Sequence, residues 1–138
     1  MTSDDTPPPR IPDDKTLPTP DPSVVQIVRS YGPGRFVIGE REWREPVLVT
    51  PAATMPLGVT SIEAVTAETL AVLKTLAVPT ELLVLGCGAR AVFVAPDKRA
   101  ALKAVGLGLE VVDTGSACRI YNVLVAEGRR VAAVLLPL

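Results

Sequence analysis

The residues best equipped for chemistry fall in two short stretches. One is Gly86-Cys87-Gly88-Ala89-Arg90, and the other is Asp113-Thr114-Gly115-Ser116-Ala117-Cys118-Arg119, with Asn122 just beyond it. Three chemistries fit their types and spacing. The first is a phosphate cradle, since Gly86 to Ala91 satisfies a permissive G-x-G-x-x-G/A pattern. That pattern works where the glycines lead straight into a helix whose N–H groups face the pyrophosphate. Here the chain runs on into the β-branched AVFVAP, and the next helix starts only near Pro96. Asp113 also lies too far along to serve as the ribose-binding acid. The context therefore argues against a nucleotide.

The second chemistry is a reactive thiol. A guanidinium such as Arg90 beside Cys87 would lower the thiol pKa, although free cysteines commonly serve as small core hydrophobes. The third is anion binding. Asp113 closes a strand, Thr114-Gly115-Ser116 turn the chain, and Cys118, Arg119 and Asn122 occupy the first turns of a helix. Free N–H groups at that helix start, together with Arg119, suit a carboxylate or phosphate. If the main strands are parallel, this turn and the Gly86 loop meet at their carboxyl ends, the edge where open α/β sheets bind ligands. The plainer reading makes Thr114 and Ser116 ordinary caps, has Asn122 bond a loop backbone, and pairs Arg119 with Asp113 or Glu110.

The chain contains no histidine. That removes the Ser-His-Asp and Cys-His arrangements and the usual imidazole base. Two cysteines fall short of the four Cys or His ligands of a structural zinc site, so the sequence implies no metal and no cofactor. A net charge of −1 offers no electrostatic case for nucleic acid. No apolar run approaches the roughly 20 residues of a membrane span. The start of the chain differs from a secretory signal or an Arg-rich transit peptide, and the cysteine usage suits a reducing, cytoplasmic setting.

These residues must be positioned by a core that is aliphatic, because Val, Leu and Ala abound and aromatic residues make up 4%. Residues 1–22 hold seven prolines and five aspartates against Arg10 and Lys15, and are expected to be a disordered tail. The expected folded domain covers 23–138. VVQIVRSY (24–31), RFVIG (35–39) and WREPVLVTP (43–51) read as strands of an antiparallel meander, with Gly32-Pro33-Gly34 as a turn. Thr66 is expected to cap a helix over 67–77, with Leu70 and Leu73 on one face and Pro79 blocking continuation. LLVLG (82–86) is apolar on both faces, as a central parallel strand would be. AVFVA (91–95) reads as a further strand, and Pro96 opens a helix that Gly106 ends. LEVVD (109–113) is the next strand. Ser116 caps a helix over 117–127 with Ala117, Ile120, Tyr121, Leu124 and Val125 as its buried stripe, and Gly128 ends it. RRVAAVLLP (129–137) is the last strand. The sum is a single layered α/β domain with an N-terminal meander layer.

LLVLGCGARAVFVAPDKRAALKAVGLGLEVVDTGSACRIYNVLVAEGRRVAAVLL resembles a widespread family of small proteins of unknown function that includes mitochondrial respiratory complex I assembly factor 3. The resemblance covers roughly residues 23–138, and DTGSACRIYNVLVAEGRRVAAVLL is its most specific part. A threonine between the two glycines is the commoner pattern, so Cys87 is a departure. The resemblance implies a mixed central sheet with helices packed on it and an added β-hairpin layer. It implies no catalytic residues. It suggests a non-enzymatic role with a protein partner, such as a membrane-bound complex reached from the cytoplasm. Arg41, Arg44, Arg90 and Arg119 are candidate partner contacts. Trp43 is either an aromatic anchor or a core plug under the hairpin. The alternative is a small-molecule anion module or thiol-dependent enzyme at the edge formed by Gly86, Cys87, Gly88, Asp113, Thr114, Ser116, Arg119 and Asn122.

Overall fold

The computed structural model describes residues 25–76 and 78–138, so the expected tail over 1–22 lies outside the described residues. Eight strands, two α-helices and one 3₁₀ helix follow in the order β1 (Val28–Gly32), β2 (Arg35–Ile38), β3 (Arg41–Trp43), β4 (Val47–Val49), β5 (Thr54–Pro56), the 3₁₀ helix (Ala71–Thr75), β6 (Leu82–Gly86), α1 (Pro96–Ala104), β7 (Gly108–Val112), α2 (Thr114–Ala126) and β8 (Val131–Leu135). They build a three-stranded sheet, β1-β2-β3, and a mixed five-stranded sheet ordered β5-β4-β8-β6-β7.

The first three strands form the antiparallel meander. Pro33-Gly34 and Gly39-Glu40 make its turns, with φ of 71° at Gly34 and 60° at Gly39. The region 43–51 does not stay in one strand. Trp43 ends β3, and β4 crosses to the larger sheet, where it pairs antiparallel with β8 and with the short edge strand β5. The larger sheet has its parallel strands at β8, β6 and β7, with β6 between the other two. The crossover β6–α1–β7 steps one way, and β7–α2–β8 steps back past β6. Connections of one hand that step in opposite directions place their helices on opposite faces.

Period-2 alternation sorts the side chains between those faces. Val47, Val49, Val84, Val131, Ala133 and Leu135 pack with Ala117 and Tyr121 of α2 and with Phe36, Ile38 and Trp43 of the meander. Leu48, Leu83, Leu85, Ala132 and Val134 pack with Leu102 of α1 and with Leu57, Ile62, Leu70 and Leu73. Every residue of β8 is buried. This double covering is the reason β6 and β8 read as continuous apolar runs.

Three further sequence expectations need correction. The stretch expected as a helix over 67–77 is, over its described residues 67–76, a set of turns and a five-residue 3₁₀ helix. The Thr69 hydroxyl donates to Ala64 O, and the Thr66 hydroxyl accepts from Thr69 N. These local bonds compete with helical ones, and a short turn suffices to bury Leu70 and Leu73. The expected strand 91–95 is irregular chain that joins neither sheet among the described residues, because Gly88 turns out of the sheet at φ 94°. Finally, Asp113 rather than Ser116 caps α2, which begins at Thr114.

Candidate functional site

The loop after β6 and the start of α2 meet, as the parallel arrangement of β6, β7 and β8 requires. Thr114 is fully buried at their junction. Its hydroxyl accepts from Gly88 N at 2.8 Å and donates to Leu136 O at 2.7 Å, and its own N–H donates to Gly88 O at 2.8 Å. Cys87 N donates to Val112 O, and Leu136 N donates to Gly86 O. One threonine thus ties together the carboxyl ends of three strands. The glycines have different reasons. Gly88 needs its positive φ. Gly86 is needed for close approach: a Cβ there would lie 2.9 Å from Ala117 Cβ and 3.1 Å from Thr114 Cα.

The α2 start is satisfied from within. One Asp113 carboxylate oxygen accepts from Ser116 N at 3.0 Å, and the other accepts from the Ser116 hydroxyl at 2.7 Å. Those donors hold the Asp113 carboxyl below its ordinary pKa. Arg119 donates to the Tyr31 hydroxyl at 2.8 Å and to the Ser116 hydroxyl at 3.3 Å. Tyr31 lies against Gly115, where an added Cβ would come within 3.1 Å of its hydroxyl. The groups that an anion would use are therefore engaged with one another. Arg119 bonds Tyr31 and Ser116 rather than forming the expected pair with Asp113 or Glu110.

Asn122 stands apart from this cluster in role. Its side-chain oxygen accepts from Val28 N at 2.9 Å, and its amide donates to Val28 O at 2.8 Å. It binds strand backbone, at a register irregularity between Val28 and Ser30. Cys118 is buried in the core, and burial pushes its pKa up to about 12. Cys87 is half-buried against the opposite core. Burial raises its thiol pKa, and the nearby Asp113 and Glu63 carboxylates add to that rise. A nucleophilic cysteine needs the reverse, an electropositive setting. Arg90 is exposed and makes no ion pair among the described residues.

Of the other partner candidates, Trp43 is buried in the core, and its ring carries Arg41 at 4.3 Å. Arg44 pairs with Glu42 at 2.6 Å. Two features of this edge escaped the sequence reading. Tyr31 comes from 88 positions away, and no local signal places it on α2. Phe93 is 83% exposed in the loop that was expected to be a strand, with Val92 also exposed beside it. Assigning 91–95 to a strand hid the exposure of Phe93 and Val92.

Comparison with known proteins places this geometry in context. An uncharacterized protein of Rhodobacter capsulatus is 39% identical over 111 residues, covering 80% of this chain and 84% of that one. A Danio rerio protein named NADH dehydrogenase [ubiquinone] 1 alpha subcomplex assembly factor 3 is 35% identical over 111 residues, covering 80% of this chain. The matched region spans 64% of that relative's length. Among solved structures, a Bordetella pertussis protein described as a Mth938-like domain superposes with a TM-score of 0.69 at 27% identity, over 88% of this chain and 92% of that one. The fold is therefore Mth938-like, with its meander layer and mixed sheet. A family model matches residues 28–136, from the first residue of β1 to just past β8. The chain belongs to the family described as protein of unknown function (DUF498/DUF598).

Proposed function

We propose that this protein is a non-enzymatic interaction factor that assists assembly of a membrane-bound, respiratory-type complex. The observation that carries the reading is the similarity to assembly factor 3, which extends through nearly all of the described fold. The chemistry of the edge supports it. The thiols are held protonated, the helix start is capped by its own aspartate, and the histidine-dependent constellations are lacking from the whole sequence. Among the described residues no helix is long and apolar enough to cross a membrane, and the proposed contact with the complex is through a protein partner.

The contact surface is the loop 87–95 at the carboxyl ends of the parallel strands. Phe93 and Val92 offer an apolar contact, with Arg90 beside them. An aromatic and an arginine are the residue types that dominate binding energy at protein interfaces. Tyr31 and Arg119 brace the neighbouring α2 start, which keeps the surface rigid and lowers the ordering cost of association.

Affinity capture of the tagged full chain from mildly solubilised membranes tests this. The expected result is stoichiometric recovery of subunits of one NADH dehydrogenase-type complex. Phe93→Asp or Arg90→Glu should abolish that recovery without unfolding the protein. Repeated recovery of no stoichiometric partner would overturn the role, and a partner indifferent to both changes would overturn the surface.

A further inference from the structure

The opposite end of the molecule carries a cleft of about 450 Å³ that the assembly reading does not use. It lies at the amino-terminal ends of the parallel strands, between the turn after β4, the segment before β6, and the chain that joins α2 to β8. Its walls are aliphatic: Val25, Pro51, Leu76, Val78, Val125 and Val131. Val25 and Val78 are 49% and 58% exposed there. The volume falls in the range of small-molecule sites, roughly 300–1,000 Å³, and so does the pattern of apolar walls with few polar groups.

The charged residues of the lining are Arg129 and Arg130. Gly128, with φ of 77°, ends α2 in a left-handed turn, and its N–H and that of Arg129 bond back to Val125 O and Leu124 O. This places Arg129 and Arg130 side by side on the rim. Glu81 holds Arg130 at 3.4 Å. Arg129 makes no ion pair among the described residues. A guanidinium fork is shaped for two-point contact with a carboxylate. Among the described residues no aromatic side chain lines the cleft, so none of them favours a ring by stacking. The polar side chains other than the arginines are Thr50, whose hydroxyl donates to Ala53 O, and Thr80.

We propose that this cleft binds a single medium-length aliphatic chain that ends in a carboxylate, with the chain along the Val25–Val78–Val125 walls and the carboxylate on Arg129. The ligand is featureless along its length because the walls are. It is anionic at one end because Arg129, the lining charge with no ion pair among the described residues, is cationic.

Decanoate, titrated into the isotope-labelled full chain and followed by nuclear magnetic resonance, is the probe. Saturable shifts should centre on Val25, Val78, Val125 and Val131. Octanoate, two methylenes shorter, should bind about fifteenfold more weakly, since each methylene removed from water is worth roughly fourfold in affinity. Arg129→Ala should weaken decanoate at least fivefold and leave decanol unaffected. Val78→Glu, at an exposed position that the fold tolerates, should abolish binding. The proposal fails if no saturable shift appears by about 1 mM, the weak limit of useful affinity. It fails equally if shifts centre on Phe93, or if decanol and decanoate bind alike. Nuclear Overhauser contacts from Leu17 or Val24 to Val78 in the ligand-free chain would make the protein's own tail the occupant and would also overturn it.

Discussion

Thr114 concentrates more structural consequence than any other residue of the candidate edge. Its hydroxyl is buried, accepts from Gly88 N and donates to Leu136 O, so no water can replace either partner. Thr114→Val keeps the shape and strands both backbone groups. The expected cost is about 1–3 kcal/mol, the penalty for unsatisfied buried polar groups. A urea titration should show a lower midpoint at unchanged slope. Cys118 makes a second test at this scale. Its folded pKa of about 12 stands above an unfolded value near 8.5. Stability tied to this thiol is therefore complete below about pH 8.5 and lost as pH rises toward 12. Tyr121, pushed up by burial as well, adds a loss of the same sign beginning near pH 10. Cys118→Ala should flatten the stability profile between about pH 9 and 10 and leave the steeper limb above it. A wild-type profile that is already flat there would contradict the buried-thiol assignment.

At the scale of elements, α2 organises the fold, because it ties the meander to the large sheet. Tyr121 donates its hydroxyl to Gln26 O at 2.6 Å, and Asn122 bonds both polar groups of Val28. An amide can do this because it carries a donor and an acceptor in one plane. Asn122→Asp keeps the acceptor for Val28 N and sets an oxygen against Val28 O. The expected loss is about 1–3 kcal/mol. Amide exchange should locate it, with β1 losing protection and β6 retaining it. Equal loss across both strands would show that the meander and the large sheet unfold as one unit.

The legibility of these elements in the sequence followed the same physics. Strands β6 and β8 were readable because burial on both faces leaves a continuous apolar run, and α1 because Pro96 and Gly106 bracket it. The strand reading of 91–95 failed because alternation reports two environments, not a hydrogen-bonded neighbour. Val94 faces the core and Phe93 faces solvent, yet no strand lies alongside. The cap was misplaced by three residues although Asp113 is itself a preferred cap type. The meeting of the Gly86 loop with Asp113 to Ser116 was inferable from parallel strands. The contact of Tyr31 with Arg119, and that of Asn122 with Val28, depend on how the meander folds over α2. No local pattern encodes that.

The whole molecule presents two surfaces at opposite ends of one rigid sheet. The Phe93 loop stands at the carboxyl ends of β6, β7 and β8, and the aliphatic cleft stands at their amino ends. Between them lie β6 and β8, whose residues are almost entirely buried and close-packed on both faces. Coupling between distant sites needs an element with two discrete arrangements that both sites bias, and this sheet offers no such element among the described residues. The two surfaces should therefore act independently. Phe93→Asp should remove partner capture, leave decanoate affinity within twofold of wild type, and change stability by less than about 0.5 kcal/mol, as expected for an exposed side chain. Arg129→Ala should do the converse, weakening decanoate and leaving capture intact. If saturating decanoate alters capture by the wild-type protein, the independence fails and the sheet transmits a change that its static packing does not display. The sign of that effect would then identify the partner-bound state: tighter capture would mean that ligand and partner select the same arrangement, since the coupling between two binding events is reciprocal.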